Sequence, residues 1–221
     1  MITLTHFEES VETFHQRDFS HVDEPQIWVP TLKDTDTLVL GSRQSLDIVD
    51  LDACEQRGID VVRRRSGGGA VLVGRDQLVW FDVLLTQDHP GFSNDVGISF
   101  RWVSQRLNAM LASLGITGVS YEGPMVNTNW SELICFAGLG PGEITVGGQK
   151  LVGISQRRTR NVARYQVAIL RRWQPGEMLE LFALSPEMRR RGAHQTATAA
   201  TATSLNPDQI LRAGAAALGA F

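Results

Sequence analysis

Arg63-Arg64-Arg65-Ser66-Gly67-Gly68-Gly69-Ala70-Val71 is the stretch from which the fold can be read. Apolar, β-prone residues flank it, Val61-Val62 before and Val71-Leu72-Val73 after. The pattern predicts strands over 60–64 and 69–73, joined through three consecutive glycines. Glycine lets a backbone come close to a ligand and turn its N–H groups toward phosphate or carboxylate oxygens. A plain turn between two strands would use the same residues. The arginines on both faces of the preceding strand favour an anion site. The lysine-serine end and following helix of a P-loop are missing, and no dinucleotide fingerprint is present.

Outward from this stretch, 37–41 and 78–85 read as further strands. A helix between 41 and 60 takes its cap from Asp50 or Asp52 and ends before Gly58. Phe7, Val11 and Phe14 share one face of a short N-terminal helix, and Ile98, Trp102, Leu107, Leu111 and Leu114 mark a longer one that Gly115 closes. Short β-rich pieces follow at 118–121, 143–146, 151–155 and 164–170, with helical patterns near 177–184 and 207–218. The low-complexity run AHQTATAATATS, 193–204, reads as a loop. Strands in runs with helices around them predict an α+β fold.

The 221 residues suit one domain, 1–221, without a further C-terminal domain. With 43% hydrophobic and 20% charged residues the chain can build a core, which excludes a disordered or collagen-like protein. Two cysteines make no disulfide framework, and the N-terminus lacks a basic start and apolar run. A soluble cytoplasmic protein is expected, with no membrane partner. Charge is uneven: residues 1–60 carry 13 acids and 4 bases, whereas 144–176 carry seven bases and no acid. Those bases either pair with the acidic N-terminal part or form a docking surface for an acidic partner. Long nucleic acid is not expected, since Tyr165 and Trp173 are the only aromatic residues in the run.

Of 21 basic residues only Lys33 and Lys150 are lysine. Lys33 lies among polar turn residues and reads as surface. Lys150 lies in Gly147-Gly148-Gln149-Lys150-Leu151-Val152-Gly153-Ile154-Ser155-Gln156, where a hairpin turn at the two glycines starts a strand at the lysine. Gly153 leaves room on that strand for a substrate. An exposed hairpin lysine is the plain alternative. Cys135, in Leu133-Ile134-Cys135-Phe136, is either a small core residue or a nucleophile whose thiolate an ammonium stabilises. Cys54 reads as packing.

Together TLVLGSRQS, GIDVVRRRSGGGAVLV and GEITVGGQKLVGISQRR resemble the lipoate–protein ligase, octanoyltransferase and biotin–protein ligase superfamily, and its lipoate branch in particular. The resemblance runs from about Thr37 to Leu205. It implies a central, mostly antiparallel sheet flanked by helices, and an acyl chain lying beside the triple-glycine loop. It assigns Lys150 and Cys135 to catalysis. Arg43, Arg65, Ser66, Gly67, Gly68, Gly69, Ala70, Gly153 and Ser155 are assigned to substrate binding, and no metal site is implied. Lys150 would meet the acyl carbonyl or an acyl-phosphate oxygen, supplying positive charge where negative charge develops.

Within that family Cys135-Phe136, Glu143 and Lys150 resemble the layout of one octanoyltransferase class. This implies octanoyl transfer from acyl carrier protein, through a cysteine thioester, to a lysine of a lipoyl domain. The acceptor would be a lipoyl domain of a 2-oxoacid dehydrogenase complex or the glycine cleavage carrier protein. A transferase needs no cofactor. The alternative is a lipoate–protein ligase using lipoate or octanoate with ATP and Mg, with Cys135 inert. A third reading is a non-catalytic module that binds an acyl group or a carrier domain. Gln166 stands where the family commonly has a histidine.

Overall fold

The computed structural model describes residues 2–219. In chain order its elements begin with β1 (Thr3–Phe7), α1 (Val11–Gln16), β2 (Gln26–Pro30), β3 (Thr37–Leu40), α2 (Leu51–Gln56), β4 (Asp60–Arg63), β5 (Val71–Val73) and β6 (Leu78–Thr86). The second half comprises α3 (Phe100–Ser113), β7 (Val119–Ser120), β8 (Ile144–Val146), β9 (Gln149–Arg158), β10 (Val162–Leu170), α4 (Pro175–Leu179), α5 (Pro186–Thr196) and α6 (Pro207–Gly219).

Seven strands form one sheet in the order β1-β2-β6-β10-β9-β8-β7, in which only β1 and β2 run parallel. A smaller sheet, β4-β3-β5, holds the arginine and glycine stretch at its end. The α+β expectation with a mostly antiparallel sheet therefore holds. Strands β6 and β10 are the spine, paired from Leu78–Leu170 to Thr86–Val162.

Each face of the large sheet has its own cover. Helices α3 and α6 pack on one face through Val103, Leu107, Leu111, Ile210 and Leu218, against Val79, Phe81 and Val83. On the other face Trp80, Leu78 and Leu84 meet α1 and the small sheet through Phe14, Val39 and Val73. A buried ion pair, Arg164 to Asp82 at 2.5 Å, clamps α1 to that face. Arg164 also donates to the carbonyls of Phe14 and Arg17, and its guanidinium stacks over Phe14 at 5.0 Å.

Local signals explain several boundaries. Asp50 caps α2 by accepting from Ala53 N–H at 3.0 Å, and Gly58, at φ +63°, follows its end. Gly115, at φ +79°, follows α3. The lysine hairpin turns on Gly147 and Gly148, at φ +59° and +81°, as a two-residue loop of this twist requires.

The structure differs from the sequence reading in several places, among them the helix expected near 177–184, which ends at Leu179 as α4. Phe7 lies in β1 instead of the N-terminal helix, and neither β1 nor β2 is predicted. The predicted loop over 193–204 begins inside α5, a helix of low hydrophobicity that buries only Gly192 and Thr196. The remainder is the expected loop, a turn over 197–199 followed by Ala200 bridged to Lys150. The basic run's ion pairs are also not with the N-terminal acids. Among the described residues they are Lys150–Glu143, Arg164–Asp82, Arg171–Asp76 and Arg172–Glu177. No helix among the described residues is long and apolar enough to cross a membrane.

Candidate active site

Glycine makes the junction of the two sheets possible. A Cβ on Gly41, just after β3, would lie 1.8 Å from the Gly68 carbonyl oxygen, so the two segments cross at backbone contact. One on Gly69 would strike Ser131 O, Cys135 N and Ile134 C within 2.8 Å. The glycine loop therefore lies directly on the segment that carries Cys135. Backbone bonds stitch them together: Ala70 N–H donates to Leu133 O at 2.8 Å, and Cys135 N–H donates to Ala70 O at 3.0 Å. Gln44 fastens the other side, accepting from Gly41 N–H while its amide donates to Glu132 O and Leu133 O.

Gly68 takes φ +98°, and a Cβ there would lie 3.0 Å from Arg64 Nη2 and 3.5 Å from Cys135 Sγ. Thiol and guanidinium thus face the same point of the loop. Arg64 is buried, its Nη2 donating to Gly67 O at 2.8 Å and Gly69 O at 2.7 Å, its Nη1 to Val39 O at 3.3 Å. Burial lowers its pKa below the ordinary guanidinium value, while its charge and hydrogen-bonding interaction with Cys135 pushes the other way. Arg65, the neighbour that the resemblance assigns to substrate, is exposed.

Lys150 is buried, at 2% exposure, so the exposed-hairpin alternative fails. A β-bulge explains its direction: between Ile144–Val152 and Thr145–Lys150, one residue of β8 opposes two of β9. The slip turns Lys150 to the same face as Gly153, with its Cε 3.4 Å from where a Gly153 Cβ would lie. The ammonium meets Glu143 Oε2 at 2.7 Å and donates to Cys135 O and Gly138 O, each at 3.1 Å. It also sits 4.8 Å from the Phe136 ring centroid. Glu143 is held in turn by the N–H groups of Gly140 and Ile154.

Two spaces meet at Cys135. One is a cavity of about 490 Å³, counting its mouth, between the small sheet and the large one. Val39, Val71, Leu78, Trp80, Phe136 and Ala168 give it an apolar lining, and Gly153 keeps its floor open. One end is polar. Ser66 Oγ donates to Gln166 Oε1 at 2.9 Å, Ser155 Oγ donates to Ser66 Oγ at 3.2 Å, and Gln166 Nε2 lies 3.0 Å from His15 Nδ1. His15, stacked on Trp80 at 4.5 Å, is lowered from 6.5 to about 3, by burial first and then by Arg64, Arg164 and Arg157. The other space is an open cleft of about 1,880 Å³, bordered by Arg43, Gly68, Gly69, Cys135, Glu143 and Lys150.

The fold thus gathers Cys135, Lys150, Ser66, Gly68, Gly69, Ala70, Gly153 and Ser155 around one junction, with Arg43 at the cleft. Sequence reasoning missed Arg64, Gln44 and His15. The first was visible as one of three arginines, but only register shows which of them turns inward. No group of three or more His, Cys, Asp or Glu that could hold a metal ion occurs among the described residues.

Residues 11–209 match the lipoyl protein ligase A/B catalytic domain. An octanoyltransferase LipM of Clostridioides difficile is 26% identical over 170 residues, covering 74% of this chain and 61% of the relative. An octanoyltransferase LipM of Kyrpidia tusciae is 35% identical over 150 residues, 64% of this chain and 54% of the relative. This chain thus spans less than two thirds of the length of either. Among solved structures, the bipartite lipoate protein ligase of Thermoplasma acidophilum superposes with a TM-score of 0.76 at 17% identity. That superposition covers 99% of this chain and 82% of the other, and shows a shared fold.

Proposed function

The chain belongs to the lipoyl protein ligase A/B catalytic-domain family, and on that premise we propose that it transfers an octanoyl group to the acceptor lysine of a lipoyl domain. The donor is an octanoyl thioester of acyl carrier protein, and Cys135 carries the acyl group between the two. One observation carries this reading: the Cys135 thiol stands where an apolar cavity meets an open cleft, against the glycine loop. The cavity suits an alkyl chain, and the cleft suits two proteins that must approach in turn.

In the first step the Cys135 thiolate attacks the donor carbonyl. The carbonyl oxygen takes up negative charge, the carbon–sulfur bond to the carrier breaks, and the carrier leaves as a thiolate. In the second, the neutral amine of the acceptor lysine attacks the Cys135 thioester. The amide forms, the Cys135 thiolate departs and the amine's proton passes to solvent. Two thioester-level steps replace one direct transfer.

Suitable donors face the developing oxyanion. The N–H groups of Gly68 and Gly69 border the cleft and have no hydrogen-bond partner among the described residues. Lys150 has its three N–H bonds committed to Glu143, Cys135 O and Gly138 O. Its part is to fix the turn that holds the nucleophile. This reading needs neither ATP nor Mg.

The test is intact mass. Mixed with octanoyl carrier protein and no nucleotide, the protein should gain one octanoyl group, labile to hydroxylamine and absent from Cys135→Ser. It should then pass the group to a lipoyl domain. Acylation of that domain only with ATP and free acid, by an unmodified protein, would replace this reading with the ligase one.

A further inference from the structure

We infer that Arg64, and not Lys150, is the counter-ion of the ionised Cys135 thiol. The inference rests on the reading of Cys135 as the nucleophile and names what equips it for that role.

Two cations lie near Cys135, and their surroundings differ. Lys150 is neutralised on the spot by Glu143 at 2.7 Å, with two carbonyls completing its shell. Its bond to Cys135 goes to the main-chain oxygen. Arg64 is just as deeply placed, yet its hydrogen-bond acceptors are the carbonyls of Val39, Gly67 and Gly69. No carboxylate pairs with it among the described residues. A buried guanidinium without a counter-ion is costly, and any anion formed beside it relieves that cost. Across the point where Gly68 lacks a side chain, the Cys135 sulfur is the group placed to become that anion.

The remaining charged groups around the thiol do not compete. On the cavity side His15 stays neutral, because burial and the neighbouring arginines disfavour its charged form. On the cleft side Arg43 is exposed, and Asp47 and Glu132 are negative and can only oppose a thiolate. The Lys150–Glu143 pair is close to neutral as a unit. Arg64 is therefore the uncompensated charge facing the reacting sulfur. Its three carbonyl bonds hold it there in a fixed orientation, which a flexible ammonium would not keep. Ionisation sends the thiol proton to solvent through the cleft.

The experiment follows alkylation of the Cys135 peptide by iodoacetamide, quantified by mass, from pH 6 to pH 10. Arg64→Gln should slow the reaction at pH 7 by at least about tenfold, and its rate should converge on the wild-type rate at the alkaline end, where the thiol ionises unaided. Arg64→Lys, which keeps the charge without the fixed orientation, should restore part of the neutral rate. A neutral-pH rate unchanged in Arg64→Gln overturns the inference, as does a deficit that persists at high pH, since that marks altered access. Lys150→Met/Glu143→Gln leaves Arg64 untouched and decides the matter even if Arg64 variants fail to fold: whatever its absolute rate, the pH at which alkylation reaches half of its own alkaline rate should stay at the wild-type position, and a shift of that point toward alkaline pH gives the role to Lys150. The acyl-enzyme measurement on wild-type protein is separate. No octanoyl adduct with an Arg64-dependent alkylation profile removes the transferase reading and keeps this one; an adduct with an Arg64-independent profile does the reverse.

Discussion

Lys150 holds Cys135 by the main chain: its ammonium donates to the Cys135 carbonyl at 3.1 Å, while Glu143, 2.7 Å away, balances its charge. A lysine that sequence logic casts as an electrophile beside the substrate thus anchors the turn on which the thiol sits.

Removing that lysine should therefore cost both stability and rate. In Lys150→Ala the buried Glu143 carboxylate keeps only two N–H partners, and we expect a loss of about 3 kcal/mol by urea denaturation. Lys150→Met/Glu143→Gln should recover most of the stability and yet transfer octanoate at least about a hundredfold more slowly, because the nucleophile's turn is no longer fixed. A double variant with wild-type transfer would remove Lys150 from the chemistry.

Gly68 should be intolerant for two reasons at once. Its φ of +98° strains any side chain, and a Cβ would press between Arg64 and the Cys135 sulfur. Gly68→Ala should lose about 1–2 kcal/mol of stability and a larger share of transfer, at least about tenfold. Gly67→Ala, whose Cβ meets open space, should cost far less. Equal losses at the two positions would mean that the loop tolerates no side chain anywhere and says nothing about a site.

Gly153 reports on where the acyl chain lies. A Cβ there already reaches within 3.0 Å of Phe136, so Gly153→Val fills the cavity floor. Octanoyl transfer should drop at least about tenfold, while a butyryl donor, too short to reach that floor, loses much less. If kcat/KM for the two donors falls by the same factor, the cavity does not hold the chain.

His15 should give the fold a specific acid sensitivity. Its native value of about 3 lies below the ordinary 6.5, so the unfolded chain takes up a proton that the native one refuses. This contribution to stability is whole above about pH 6.5 and declines by roughly 1.4 kcal/mol per pH unit as pH falls toward 3. His15→Gln should flatten that decline in urea midpoints measured from pH 7.5 to pH 4. Parallel declines would show that native His15 is protonated as freely as an unfolded one.

What the sequence disclosed was local. The Gly147-Gly148 hairpin, the Asp50 cap and the triple-glycine crossing all follow from what a few adjacent residues can do with their backbone. What it withheld depends on distant partners. Gln26-Ile27-Trp28 becomes a strand because β6 pairs with it. Helix α5 is too polar to show an apolar face, although Ser185 and Pro186 mark its start by capping and position. Which of Arg63, Arg64 and Arg65 turns inward is set by the register of β4 on β3. His15 reaches Gln166 across 151 positions of chain, so no local pattern could announce it.

The ladder between Ala70 and Ile134 has a mechanical consequence. Because the loop that cradles a donor and the turn that bears the sulfur share two backbone bonds, pushing on one drags the other along. The spacing of thiol and glycine amides is therefore set by this ladder itself, independently of what approaches from the cleft.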